Sequence, residues 1–356
     1  MNESFIEEIF ACYFHGTKDY SIDSKGDSGS RIRETAIEGL EKLIIMCAKL
    51  NLITFTKDKS LLTKVLGNVM QQAVERIDRT RNLAGRIFSN LLYNDHLNVD
   101  ILEYIDEVRS VFKRDQCVTM DWNLAYSTLP LFVKLLSISQ LQTYLLTGII
   151  FSIGSLTESL VKSATSSFLK QLQIFNKSED KLIMCELIEK ILSLCKTSLK
   201  NDRLSASLIK SVDLIVQNGF LNDPKLKRYP VEFLSLFLEN VKVTKDMQKL
   251  FSYIDFFCDM LQFNSDNDKE KVRERSMVQL MIMLCHQYPI VRKTTATKLF
   301  ECIVSYPDLF EKDEDNDECV TLLVDTVWDE PVVQLRSVRN RICELTKTPK
   351  PVMKKT

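Results

Sequence analysis

Glycine and proline are scarce, 9 and 8 residues in a chain of 356, together about 5% where average usage gives roughly 12%. So few turn formers require long regular elements, and neither a collagen-like repeat nor a Gly/Pro-rich disordered chain is tenable. Histidine is rarer still. His15, His96 and His286 are far apart, and none stands three or four residues from a cysteine or another histidine, which argues against a zinc site on helical spacing. The ten cysteines occur singly, without a CxxC pair, so a disulfide-dense secreted domain is not expected and a reducing compartment is. The longest apolar runs, such as 145–153, fall well short of the roughly 20 residues of a membrane span. Residues 1–10 hold three glutamates and no basic run, unlike a secretory signal or transit peptide.

Charge of one sign is also missing in excess. Lys plus Arg number 47 against 48 Asp plus Glu, a formal net charge of -1, which argues against a polyphosphate as the main partner and for proteins. No GxxxxGK[ST], GxSxG, HExxH or kinase string is found. Asp23, Asp27 and Glu34 fall at positions 1, 5 and 12 of an EF-hand loop, but Lys25 at position 3 and Ser28 at position 6 spoil it. No catalytic residue, cofactor or metal is expected from these strings, and the chain is not read as an enzyme.

What is present is helical periodicity. Between 181 and 200 the apolar positions Leu182, Cys185, Ile188, Ile191, Leu192, Cys195 and Leu199 step by threes and fours, one buried stripe on a helix. Asn176 followed by Glu179 suits an N-terminal cap for it. Similar blocks cover about 31–50, 59–72, 74–93, 99–114, 123–137, 155–174, 203–219, 228–241, 245–263, 269–287, 290–305, 317–328 and 331–346. Linkers are expected at 18–30, 94–98, 115–123, 264–268 and the acidic run 311–318. Residues 222–229 read as an insert without assignment. The expected fold is all-α, a HEAT/armadillo-like α-solenoid of antiparallel helix pairs over 1–346, with a basic flexible tail at 347–356.

A repeat supports that class. Ile32, Arg33, Ala36 and Leu40 match Thr80, Arg81, Ala84 and Phe88, and then Val291, Arg292, Thr295 and Leu299; a degraded copy begins at Val338 and Arg339. The first two copies begin 48 residues apart, close to the roughly 40–47 of HEAT units. The small residue admits a neighbouring helix, and the arginine is expected to pair along the stack. The middle of the chain holds no clean copy.

Charge varies along the chain. Residues 31–86 hold eleven Lys or Arg against six acids, whereas 87–122 hold seven acids against three bases. Patches of both signs suit a large charged protein partner. Trp328 is expected in the core, and Trp122, in a polar loop, as either core or anchor.

The strings Asp19-Tyr-Ser-Ile-Asp-Ser-Lys-Gly-Asp27, Glu75-Arg-Ile-Asp-Arg79, Gly154-Ser-Leu-Thr-Glu-Ser159, Asn201-Asp-Arg203, Arg292-Lys-Thr-Thr-Ala296, Asp329-Glu-Pro331 and Arg339-Asn-Arg341 occur in that order. The chain resembles the C-terminal portion of the tubulin-specific chaperone D family, the tubulin-folding cofactors D. The resemblance implies a cytoplasmic HEAT-type chaperone, microtubule- or centrosome-associated in some settings, that binds β-tubulin. With tubulin-folding cofactors C and E and an Arf-like small GTPase, it implies assembly and disassembly of the αβ-tubulin heterodimer and stimulation of tubulin GTP hydrolysis. It further implies a fragment or short form, lacking the family's long N-terminal array, with an open apolar face between Phe5 and Phe14. Candidate partner-binding residues are Asp23, Lys25 and Asp27 in the polar loop, with Asp121, Trp122 and Glu158; the structural alternative is that Asp27 and Glu158 cap helices. The competing function is a generic solenoid adaptor for trafficking or transport.

Overall fold

The computed structural model describes residues 3–24, 26–179, 181–199, 202–263 and 271–351. The chain divides into two compact units, Met1–Lys190 and Ile191–Thr356. The first contains α1 (Glu3–Gly16), the antiparallel hairpin β1 (Ile22–Asp23) and β2 (Gly26–Asp27), α2 (Gly29–Lys49), α3 (Ile53–Thr56), α4 (Lys59–Ala73), α5 (Asp78–Leu92), α6 (Ile105–Val111), α7 (Arg114–Thr119), α8 (Ala125–Phe132), α9 (Ser139–Ile153) and α10 (Glu158–Asn176). α11 (Leu182–Ser198) runs across the division. The second contains α12 (Asp202–Gln217), α13 (Arg228–Val241), α14 (Met247–Asp259), α15 (Val272–Met283), α16 (Pro289–Ser305), α17 (Asp313–Asp325) and α18 (Val332–Leu345). The fold is all-α, with the paired-helix packing of a solenoid inside each unit.

In the first unit α2 packs on α1 and α5, and α4 on α5 and α9. In the second, α14 lies between α12 and α16, while α13 and α15 pair behind them. The expected amphipathic stripes explain most of these elements. α9 is different, because Leu141, Leu145, Leu146, Ile149, Ile150 and Ile153 are wholly buried and Gln142 and Ser152 join them. Its polar face is narrow, Ser139, Gln140 and Thr143 being exposed, so it marks the period only weakly. Gly148 permits this burial, since a Cβ there would lie 2.4 Å from the Gln71 carbonyl oxygen of α4.

The repeat motif is the joint between successive pairs. Arg33, Arg81 and Arg292 are all buried near the starts of α2, α5 and α16. Arg292 donates to the carbonyls of His286 (2.8 Å) and Gln287 (3.3 Å) before its own helix and of Trp328 (2.7 Å) and Glu330 (3.1 Å) before α18. Arg81 likewise joins the Glu75 carbonyl (2.9 Å) to that of Asn123 (3.4 Å). Arg33 joins the Asp19 carbonyl (2.7 Å) to Gln72 (3.1 Å) and Glu75 (3.1 Å). Five fixed donors on one planar cation satisfy turn carbonyls that the packed helices would otherwise strand without water. The expected pairing along the stack is therefore made mostly with backbone, and only at Arg33 with a buried acid.

Several sequence expectations are corrected. The acidic run 311–318 is not a solvated loop: Asp313, Glu314 and Asp315 form the first turn of α17, where carboxylates meet the positive end of the helix dipole. Trp328 is buried as expected, but in the turn after α17, with its indole N–H on the Leu323 carbonyl at 2.9 Å. Asn176 does not cap α11; it ends α10, and its side-chain oxygen accepts from Lys181 Nζ at 2.9 Å. The open apolar face near the N-terminus is reduced to Phe5, 59% exposed, the small Ala11 and Cys12, and part of Ile9, because Ile6, Phe10 and Phe14 are buried, Phe10 with its ring 5.8 Å from that of Phe55. Residues 222–229 hold a 3-10 turn, Pro224–Leu226, capped by Asp223. The proposed linker 264–268 lies outside the described residues.

Arg292→Met should lower the urea-unfolding free energy of the second unit by at least about 3 kcal/mol, because buried carbonyls lose their donors at roughly 1–3 kcal/mol each. Arg292→Lys should recover less than half, since an ammonium cannot reproduce the planar fork. A loss below about 1 kcal/mol in Arg292→Met would mean that the joint is ornamental.

Candidate functional site

The site is built outward from the buried joint at Arg33. Its guanidinium lies 4.3 Å over the Tyr20 ring, which stacks on Phe151 at 4.4 Å. It donates to Asp27 Oδ1 at 3.0 Å and to Glu75 Oε2 at 3.1 Å, and Arg76 reaches Asp27 Oδ2 at 2.9 Å. Burial alone would raise the Asp27 carboxyl, but the hydrogen bonds from Arg33 and Arg76 outweigh it and hold it below the usual range. At Glu75 burial wins over Arg33 and raises the carboxyl. Burial, reinforced by Glu75, also pushes the Tyr20 phenol up. This is a structural cluster, and it fixes α2 against the start of α5.

Along α5 three shallow hollows open. One of about 380 Å³ is lined by Arg31, Glu34, Glu38 and Arg79, and one of about 440 Å³ by Glu41, Lys42, Met46, Lys49 and Asn90, both between α2 and α5. The third, about 420 Å³, lies between α5 and α7, with Arg86, Asn90, Arg114, Val118 and Asp121 at its sides and Trp122 against it. Six cations face these hollows against four carboxylates. Glu34 takes Arg79 at 3.0 Å, Glu38 takes Lys42 at 3.5 Å and Glu41 accepts from Asn90 at 2.7 Å. Among the described residues no carboxylate lies within ion-pair reach of Arg31, Lys49 or Arg86. Val118, 80% exposed, adds apolar surface beside these cations. A face of this kind can hold an acidic, partly apolar protein surface.

The sequence-derived candidates are scattered relative to this face. Asp121 and Trp122 line the third hollow. Trp122, however, is buried, its ring among those of Phe88, Phe112 and Phe132 at 6.1–6.3 Å. Its indole lies on Gly85, where a Cβ would come within 2.3 Å of the ring. Trp122 is therefore a wall of the hollow and a core residue at once. Asp121 is exposed and accepts from the Asn123 backbone N–H at 3.0 Å. Asp27 accepts from the Ser30 N–H at 3.0 Å and from two arginines, so the capping alternative describes it better than a contact role. Asp23 is exposed in the hairpin, and Lys25 lies outside the described residues. Glu158 is exposed as the first residue of α10, but no capping box forms: Thr157 precedes the helix without a side-chain cap. Arg31, Lys49 and Arg86 escaped selection; their only sequence signal was the basic excess of 31–86.

The paired helices inside each unit, with charged, shallow hollows along α5 of the first, define a helical-repeat protein. Among the described residues no group of three His, Cys, Asp or Glu is placed to hold a metal, and no helix is long and apolar enough to cross a membrane. The family model for the C-terminal region of tubulin folding cofactor D matches residues 63–249, more than half of the chain; the chain belongs to this family. Tubulin-specific chaperone D of Dictyostelium discoideum is 24% identical over 365 aligned positions, which cover 93% of this chain and 24% of that protein. The chain thus spans about a quarter of the length of this relative.

Glu75 makes the balance inside the joint measurable. Its folded-state pKa lies above an unfolded value of about 4.3, so its contribution to stability is complete below that value and declines as pH rises through the raised folded pKa. The stability of the parent chain relative to Glu75→Gln should therefore fall with pH across that window in urea titrations. A relative gain with rising pH would mean that Arg33 and Arg76 outweigh burial.

Proposed function

We propose that the chain is a non-enzymatic, cytoplasmic tubulin chaperone segment that binds β-tubulin through the face along α2, α5 and α7. In this reading it acts with tubulin-folding cofactors C and E and an Arf-like small GTPase in assembling and disassembling the αβ-tubulin heterodimer. Stimulation of GTP hydrolysis by tubulin is then a property of that complex. The observation that carries the reading is membership in the cofactor D family over residues 63–249, a span that includes all of α5 and the hollow walled by Trp122. Arg31, Lys49 and Arg86, without a carboxylate in ion-pair reach among the described residues, support the placement, because meeting an incoming acid breaks no ion pair within the chain.

Purified chain should retain isolated β-tubulin and αβ-tubulin saturably at physiological salt. The triple variant Arg31→Glu, Lys49→Gln, Arg86→Glu should bind at least about ten-fold more weakly, with its melting temperature changed little because these side chains make no ion pair among the described residues. Equal retention of an unrelated acidic protein would replace the tubulin reading with that of a generic adaptor, and undiminished tubulin binding by the triple variant would move the contact to another face.

A further inference from the structure

In the second unit the end of α12 is fixed by a glycine. Gly219 has φ +70°, in the left-handed region, and closes the helix with the paired bonds of a Schellman turn. Its N–H donates to the Val216 carbonyl at 2.9 Å, and the Phe220 N–H donates to the Ile215 carbonyl at 3.1 Å. Phe220 and Ile215, the two positions whose apolar contact accompanies such an end, are both buried. The Val216 carbonyl also accepts from Gln262 Nε2 at 3.1 Å, which ties the turn after α14 to the end of α12. The residue before the glycine is Asn218, exposed, with its Nδ2 donating to the Leu214 carbonyl at 2.8 Å. No other asparagine in the chain precedes a glycine.

An asparagine before a glycine carries its own reaction. The Gly219 nitrogen can attack Asn218 Cγ because no Cβ on the glycine stands in the way. The N–Cγ bond forms, the Cγ–Nδ2 bond breaks, and ammonia leaves with the proton that the attacking nitrogen gives up. Water then opens the succinimide ring at either carbonyl, giving aspartate or isoaspartate. The sum is asparagine plus water to carboxylate plus ammonium, with nothing oxidised or reduced. In the folded chain both reacting groups are held, the nitrogen by its bond to Val216 and the amide by its bond to Leu214. Fraying of the last turn releases the two together, and helix ends are where local opening costs least. We propose that Asn218 is a deamidation site gated by the end of α12, and that its conversion loosens this end irreversibly. The new carboxylate has no N–H to give Leu214 and meets the negative end of the helix dipole. It also stands beside Gln217, which lines a hollow already holding Asp213, Asp255 and Asp259. Isoaspartate adds a backbone carbon between residues 218 and 219 and breaks the register that brings Phe220 and Gln262 to their acceptors. The site shares no residue with the hollows along α5, so it stands or falls apart from the tubulin reading.

The test incubates the full chain beside the free peptide acetyl-Val-Gln-Asn-Gly-Phe-Leu-amide at neutral and mildly alkaline pH, and maps aspartate and isoaspartate at residue 218 by mass spectrometry. The peptide should convert at least about ten-fold faster than the folded chain, whose rate carries the cost of opening the turn. Both rates should rise with pH, since the attacking nitrogen must lose its proton. Phe220→Ala, or the milder Phe220→Leu should the first not fold, removes the buried anchor of the turn and should speed conversion in the chain several-fold. Asn218→Asp, which installs the product, should melt at least about 2 °C below the parent chain. Equal rates in chain and peptide, no conversion at 218 over many peptide half-lives, or an unchanged rate in a folded Phe220 variant would each overturn the gated site. An Asn218→Asp chain that melts with the parent would overturn the loosening.

Discussion

A guanidinium buried at the start of a helix is the constraint on which each unit depends. Helices packed in two layers bury the turns between them, and the carbonyls of those turns need donors that water cannot supply. Arg33, Arg81 and Arg292 supply them, each tying the turn before its own helix to the turn of the next pair. The small residues that follow, Ala36, Ala84 and Thr295, are all buried and let the neighbouring helix come close. The motif thus fixes both the distance and the register of successive pairs. Arg33 differs from the other two by closing on buried acids, which makes the first joint the most polar and the most sensitive to the loss of a single charge.

Because the joints are internal, the helix faces are left for charge. Along α2 and α5 some of that charge is neutralised within the chain, as Glu34 with Arg79 and Glu38 with Lys42, and some, as Arg31, Lys49 and Arg86, meets no carboxylate among the described residues. In the proposed function this remainder is the surface that meets a folded partner by charge complementarity. In the second unit the corresponding layer of α12, α14 and α16 carries the opposite excess, concentrated in one cavity.

The fold was largely legible in the sequence because most helices are half exposed and so carry a period. The repeat was legible because its arginine, small residue and apolar residue each have one physical task. α9 was not, since its polar face is reduced to Ser139, Gln140 and Thr143 and marks the period only weakly. The acidic run at 311–318 misled because charge suggested solvent, whereas carboxylates in a first turn stabilise a helix start. At the site, Asp27 and Trp122 were legible as special, with a structural role open for each, but their partners Arg76, Phe112 and Phe132 were not, because the fold brings them in from elsewhere in the chain. Arg31, Lys49 and Arg86 were illegible individually, since being unpaired is a property of geometry and not of residue type.

The central claim is that the Arg33 joint is an obligate pairing of buried charges on which the surrounding helices rest. The most direct measurement compares Arg33→Met with the double variant Arg33→Met, Glu75→Met in urea unfolding. Removing the cation alone leaves Glu75 and Asp27 buried with less compensation, and should cost about 3–5 kcal/mol; removing Glu75 as well should restore at least about 2 kcal/mol of that loss. A double variant no more stable than Arg33→Met would contradict the account, and would place the hold on α2 and α5 in apolar packing alone.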